Sequence, residues 1–393
     1  MLSTFYPLLA HTWGGVVIAV AVGAIGWALL AWGRRSASPH TGLAKLFGWV
    51  VCAASALLLV GAVVSVIALM RLGSQHPPPG ERVDVGGYRM HILAEGDSRG
   101  GPTVIWIPGA HAQGLALHHL HVAIRDGTRS VLFDRPGTGW SDPGPFPRRT
   151  ATEADELATL LERAGEHGPF VLAGHSYGGL LAANFARRYP ERTAAVVLLD
   201  ASPPDAFIYA PVYGAGALEQ LVRDGEREGL AKLSARWSDP EPAMAESDTE
   251  IGRILRLQNE LLADVKPAMD ANRRRPATSF AHASIFREFG AGTVTAEVPD
   301  IVVYDGELGD LPVLVVIPDE DPAAIIDPLG LDEKAAARAK NFFRRARVRY
   351  LEVSTDTRLI HTPPGTGHNY PYETPGFVVE VVRGLLAELR AGE

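Results

Sequence analysis

Two stretches near the start of the chain are uncharged: residues 1–33 hold no Lys, Arg, Asp or Glu, and residues 46–70 repeat the pattern. Over the second run, 25 helical residues at ~1.5 Å each would reach about 37 Å, more than the ~30 Å hydrocarbon core of a bilayer. Trp13, Trp27 and Trp32 fall towards the ends of a span near residues 14–32, where interfacial aromatics sit. The pattern predicts two membrane-spanning helices within residues 1–72. A cleaved signal peptide fits less well, because no basic segment precedes the first run and a second apolar run follows it. Arg34, Arg35 and Lys45 lie between the spans, which predicts a cytoplasmic loop and an extracytoplasmic domain, although Arg71, Arg82 and Arg89 pull the other way. Residues 73–80, with Pro77, Pro78 and Pro79, read as a stiff extended spacer.

From residue 81 the texture changes to short β-branched runs separated by Gly and Pro and then by helical patterns, the mark of an α/β sheet. Strands are expected at 82–84, 89–93, 103–107, 130–133, 170–173, 195–199, 313–317 and 348–353. Helices are expected at 152–164, 177–189, 332–345 and 374–389. Residues 202–311 show no strand signal and read as a helical cap, with helices at 215–237 and 248–269, inserted between core segments 81–201 and 312–393. The basic run Arg273, Arg274, Arg275 in that cap reads as a solvated helix end, or else as a contact for an anionic ligand or lipid. Net charge is −8, which argues against a nucleic-acid partner. With Cys52 alone, neither an intrachain disulfide nor a cysteine-rich zinc site can form.

Gly174-His175-Ser176-Tyr177-Gly178 matches G-x-S-x-G between an expected strand and an expected helix. On such a turn a side chain two positions before or after the serine would clash, hence Gly174 and Gly178. Ser176 would stand at a helix N-terminus, with the Tyr177 N–H free to donate to a developing oxyanion. His111, His118, His119 and His121 form a further cluster, but no carboxylate or cysteine set accompanies them, so a partly buried polar helix face is the default reading. His111 borders the expected site and could touch substrate.

From residue 82 to the C-terminus, cap excluded, the sequence resembles the α/β-hydrolase fold superfamily. The resemblance rests on the G-x-S-x-G turn, on Phe133-Asp134-Arg135-Pro136-Gly137-Thr138-Gly139-Trp140-Ser141-Asp142 as a D-x-x-G-x-G-x-S turn, and on Ile107-Pro108-Gly109-Ala110 where the family usually has His-Gly-x. Residues 168–200 also resemble membrane-anchored hydrolases with N-terminal spans. It implies a mostly parallel eight-stranded sheet flanked by helices, with the Ala110 N–H as second oxyanion donor and Asp134 and Ser141 as architecture. The family order of triad residues puts the histidine last, which selects His368 in Gly365-Thr366-Gly367-His368 over His361. For the acid, Ile317-Pro318-Asp319-Glu320-Asp321-Pro322 resembles the family's G-x-x-D and points to Asp321, with Asp319 and Glu320 beside it. Asp200, at the end of the sixth expected strand, is the alternative acid.

Together these residues imply a membrane-anchored serine hydrolase, free of cofactors, acting on a small ester or acyl substrate of moderate apolarity, lipid-derived esters among the candidates. An aminopeptidase, amidase or acyltransferase would use the same triad. A non-catalytic tethered binding protein is the alternative from another class.

Overall fold

The computed structural model describes residues 2–35, 41–97, 101–205, 215–233, 237–291, 300–320, 326 and 330–392. The two apolar runs form α1, Gly14–Arg35, and α2, Thr41–Gln75, both long and apolar enough to cross a membrane. Small residues let them approach closely. A Cβ placed at Gly26 would lie 2.8 Å from Cys52 Sγ and 3.0 Å from the Gly48 carbonyl, and the Ser55 hydroxyl donates to the Ala19 carbonyl at 2.6 Å. Ahead of α1, the short turn Tyr6–Leu9 is clasped by the rest of the protein. Tyr6 is 1% exposed, its ring 5.5 Å from Phe146 and 5.1 Å from Phe280, and its hydroxyl donates to Glu226 at 2.6 Å.

The strands are β1 Glu81–Asp84, β2 Arg89–Glu95, β3 Thr103–Ile107, β4 Ser130–Phe133, β5 Phe170–His175, β6 Thr193–Leu199, β7 Val313–Ile317 and β8 Thr357–His361. They form one sheet in the order β1-β2-β4-β3-β5-β6-β7-β8, antiparallel at β1/β2 and β2/β4 and parallel elsewhere. Alternation along the strands sends Ile105, Ile107 and Leu172 into one apolar layer and Val104, Trp106 and Val171 into the other, so both faces must be covered by helices. That cover comes from α3 His118–Arg125, α4 Thr150–Arg163, α5 Tyr177–Arg188, and, beyond the cap, α10 Glu333–Arg347 and α11 Pro375–Gly392. Between β6 and β7 lie the cap helices α6 Ala215–Lys232, α7 Glu250–Leu261, α8 Lys266–Arg273 and α9 Pro276–Ala291.

Two expectations need correction. Residues 348–353 are not the last strand: Val348–Glu352 is a 3-10 turn that prolongs α10, with Tyr350 buried and its hydroxyl on the Ser202 carbonyl at 2.7 Å. The true last strand, β8, pairs with β7 from Val313↔Thr357 to Ile317↔His361. It is an edge strand with mostly exposed side chains, so it lacks the apolar run that marks the others. His361 is the last residue of this strand. The expected helix at 248–269 is split into α7 and α8, because Pro267 cannot donate within a continuing helix but is tolerated in the first turn of a new one.

Candidate active site

Ser176 sits between β5 and α5 with φ 55° and ψ −124°, a backbone region an L-residue enters only when its surroundings force it. The forcing is visible at the two glycines. A Cβ at Gly174 would collide with the Gly178 carbonyl, and one at Gly178 with the Ile107 carbonyl. The turn is held across the sheet by Ser176 N–H donating to the Leu199 carbonyl (3.0 Å) and Ser202 N–H donating to the Ser176 carbonyl (2.9 Å). The Ser176 side chain makes no hydrogen bond among the described residues, and the Tyr177 N–H occupies the first helical position, where no intrahelical acceptor exists.

His368 comes from the loop after β8, and the structure brings it to this turn. Its ring centroid is 4.7 Å from that of His175, and its carbonyl lies 2.9 Å from His175 Nε2. A carbonyl can only accept, so His175 carries its proton on Nε2. Burial and then the neighbouring His368 push the His175 imidazole down to about 3, keeping it neutral. His368 Nδ1 lies 2.6 Å from Asp200 Oδ2. Asp200 ends β6 with φ 41°, a second strained position at the same sheet edge.

Arg347, which no sequence motif marks, reaches Asp200 from the end of α10: Nη2 donates to Oδ2 at 3.0 Å and Nε lies 2.8 Å from Oδ1. Burial alone would raise the Asp200 carboxyl, but the hydrogen bond and charge of His368, then the Arg347 cation, outweigh it and hold the group below the usual carboxylate value. An ionised Asp200 must accept from Nδ1–H, which leaves His368 Nε2 as the free base. Arg347 thus fixes the carboxylate while partly offsetting its charge. Arg347→Gln is therefore expected to lower kcat by up to ~10² through a loosened carboxylate, and to move the acid limb of the kcat/KM profile to higher pH. Arg347→Lys should restore part of both. A fall in kcat with an unmoved limb would reduce Arg347 to packing.

The Pro108-Gly109-Ala110 loop faces Ser176: a Cβ at Gly109 would lie 3.4 Å from Ser176 Cβ. Buried Arg135 gathers its carbonyls, donating to Pro108 (2.7 Å), Gly109 (2.8 Å) and Ala110 (2.7 Å). Because a trans peptide directs N–H opposite to C=O, the Gly109 carbonyl on Arg135 turns the Ala110 N–H to the other side. Arg135 also lies over the Tyr177 ring at 5.2 Å, and Tyr177 donates to Glu153 at 3.0 Å, so one buried network carries both expected oxyanion donors. Asp134 accepts from Gly114 N–H (2.7 Å), Trp140 N–H (3.0 Å) and His91 Nδ1 (2.7 Å), fastening the turn behind the site.

Of the other expected acids, Asp321 lies outside the described residues. Asp319 accepts from Gly365 N–H at 3.2 Å, and the Glu320 N–H donates to the Thr366 carbonyl at 3.0 Å, which ties down the loop that carries His368. That loop is also held by Glu373, which accepts from Gly367 N–H (3.0 Å) and pairs with Arg253 of α7 (2.5 Å), linking cap to site. His111 packs its ring 3.1 Å from that of His282 on α9, and burial followed by the Arg135 charge lowers it to about 4. His118, His119 and His121 go separate ways, to Asp264, the Pro371 carbonyl, and Ser130 with Glu95. Among the described residues no group of three or more His, Cys, Asp or Glu could hold a metal ion.

Comparison with known proteins agrees with this architecture. The model of the alpha/beta hydrolase family matches residues 104–381. A 2-hydroxy-6-oxononadienedioate/2-hydroxy-6-oxononatrienedioate hydrolase of Burkholderia vietnamiensis is 33% identical over 150 residues, 37% of this chain and 52% of that protein. Lipase LipV of Mycobacterium tuberculosis is 27% identical over 164 residues, 41% of this chain and 60% of its own. The matched segments thus span about half the length of such curated relatives. A thermophilic esterase from Thermogutta terrifontis superposes with a TM-score of 0.52 at 20% identity, covering 79% of this chain and 98% of that one, a likeness of fold.

Proposed function

The chain belongs to the alpha/beta hydrolase family, and from that premise we propose a serine hydrolase, anchored by two membrane spans, that cleaves an ester of a moderately apolar substrate through an acyl-enzyme. Ser176 Oγ attacks the carbonyl carbon while His368 Nε2 takes its proton, and Asp200 holds the imidazole in the required tautomer and stabilises the imidazolium. The Tyr177 and Ala110 N–H groups receive the oxyanion. His368 then protonates the departing alcohol, and a water activated by the same imidazole releases the acid.

The observation that carries this reading is the convergence of a serine held at φ 55° with an imidazole that is itself bound to a buried carboxylate at 2.6 Å. Anchoring is supported by the two apolar helices, and the packing of Tyr6 against Phe280 suits a two-span hairpin in which the segment before α1 and the cap share one side. The basic loop between the spans favours an extracytoplasmic domain.

Fluorophosphonate labelling of the purified full-length chain tests the proposal. Wild type is expected to be modified at Ser176 and to hydrolyse p-nitrophenyl esters faster than amino-acid amides of matched size. A serine that stays unlabelled in folded protein, or faster cleavage of the amides, overturns the esterase reading.

A further inference from the structure

A cavity of about 310 Å³ opens where the end of α2 meets the domain. One wall is apolar, with Met70, Leu72 and Pro78, and the other carries Arg82, Asp142, Trp140 and Arg275, two cations to one carboxylate. The charges on the polar wall do not balance. Arg82 is answered by Asp142 at 2.5 Å, and Asp142 also accepts from the Arg89 N–H at 2.9 Å. Arg275 is half-buried and gives one N–H to the Gly139 carbonyl, and among the described residues no carboxylate stands at ion-pair distance from it.

Its two neighbours in the basic run are accounted for: Arg273 is enclosed by Asp239, Glu241 and Asp270, and Arg274 lies over the Trp237 ring at 5.8 Å. Arg275 alone turns into the cavity. A guanidinium stays protonated at any physiological pH, and withdrawing part of it from water with no direct ion pair is costly. Its planar fork suits the paired oxygens of a phosphate. Trp140, itself buried, donates its indole N–H to the His76 carbonyl at 3.0 Å and so ties the cavity wall to the segment after α2.

We propose that this cavity binds the phosphodiester headgroup of an anionic lipid, the Arg275 fork taking the phosphate oxygens and the α2 wall taking the first carbons of the chains. The inference rests on the reading of α1 and α2 as membrane spans. It ties the bilayer to the cap through Arg275 and to the turn behind the active site through Gly139.

The test uses the full-length chain in discs of phosphatidylcholine with or without phosphatidylglycerol, read by thermal midpoint and by native mass spectrometry of retained lipid. Wild type is expected to be stabilised by phosphatidylglycerol and to keep it as an adduct. Arg275→Gln should lose about tenfold in apparent affinity for that lipid, Arg275→Lys should retain part of it, and Arg71→Gln, an exposed juxtamembrane change, should behave as wild type. If Arg275→Gln fails to fold, Arg275→Lys and the wild-type adduct still decide.

Equal responses of wild type and the Arg275 variants, or equal retention of the two lipids, overturn the site. Equal stabilisation by glycerol 3-phosphate in pure phosphatidylcholine discs overturns the lipid source in favour of a soluble phosphate. Release of the chain from membranes by alkaline carbonate would instead show that the anchoring reading has failed.

Discussion

Ser176→Ala and His368→Ala should each lower kcat for ester hydrolysis by about 10⁶, and the double variant should be no slower than either single one. The reason is that in the proposed mechanism the two side chains act on one proton. A serine hydroxyl scarcely ionises at neutral pH, so without His368 Nε2 the nucleophile is inert, and without Ser176 the base has nothing to activate. Tyr177 and Ala110 N–H groups would survive both changes, so a residual rate of about 10³ to 10⁴ over water is expected. Neither substitution should disturb the elbow, because its strain is imposed by Gly174, Gly178 and the carbonyls around them. Near-native melting is therefore part of the expected result. Additive losses in the double variant would mean that the two residues do not share a step.

Much of this site could be read from the chain because its parts follow local rules. The elbow is legible since a strand, a glycine pair and a helix start must coincide within a few residues, and Phe170–His175, Ser176 and Tyr177–Arg188 supply them in order. His368 is legible from chain order once the fold is suspected. Arg347 and His175 were not, because Arg347 belongs to no motif and His175 fills an unspecified position of G-x-S-x-G. Arg347 looks like one more cation in the polar last turn of α10, and only the packing of that turn, where Ala346 meets Leu180 of α5, brings it onto Asp200. The edge strand β8 escaped for the opposite reason: its exposed side chains carry no core signal, while Val348–Glu352 offers a false one. Local patterns report what a residue's own element needs, and long-range ion pairs and sheet edges lie outside that information.

The family's commonest acid position is the loop after β7, yet the carboxylate against His368 is supplied by the end of β6. Asp200→Asn is accordingly expected to lower kcat by about 10⁴, whereas Asp321→Asn should stay within a few-fold of wild type. The amide would offer an N–H where His368 Nδ1 now has an acceptor, favouring the tautomer with the proton on Nε2, which cannot take the Ser176 proton. It would also leave Arg347 facing a neutral group in a buried setting.

A pH signature separates this from simple misplacement. The Asp200 carboxyl is held below its usual value of about 3.9, so its contribution to stability is full above that pH and is lost as pH falls through the depressed value. The difference in thermal midpoint between wild type and Asp200→Asn should be widest near neutrality and shrink in stronger acid. A difference that stays constant with pH would remove the buried ion pair from the account. Full activity in Asp200→Asn with its loss in Asp321→Asn would move the acid to the β7 loop and leave Asp200 with Arg347 as a structural pair.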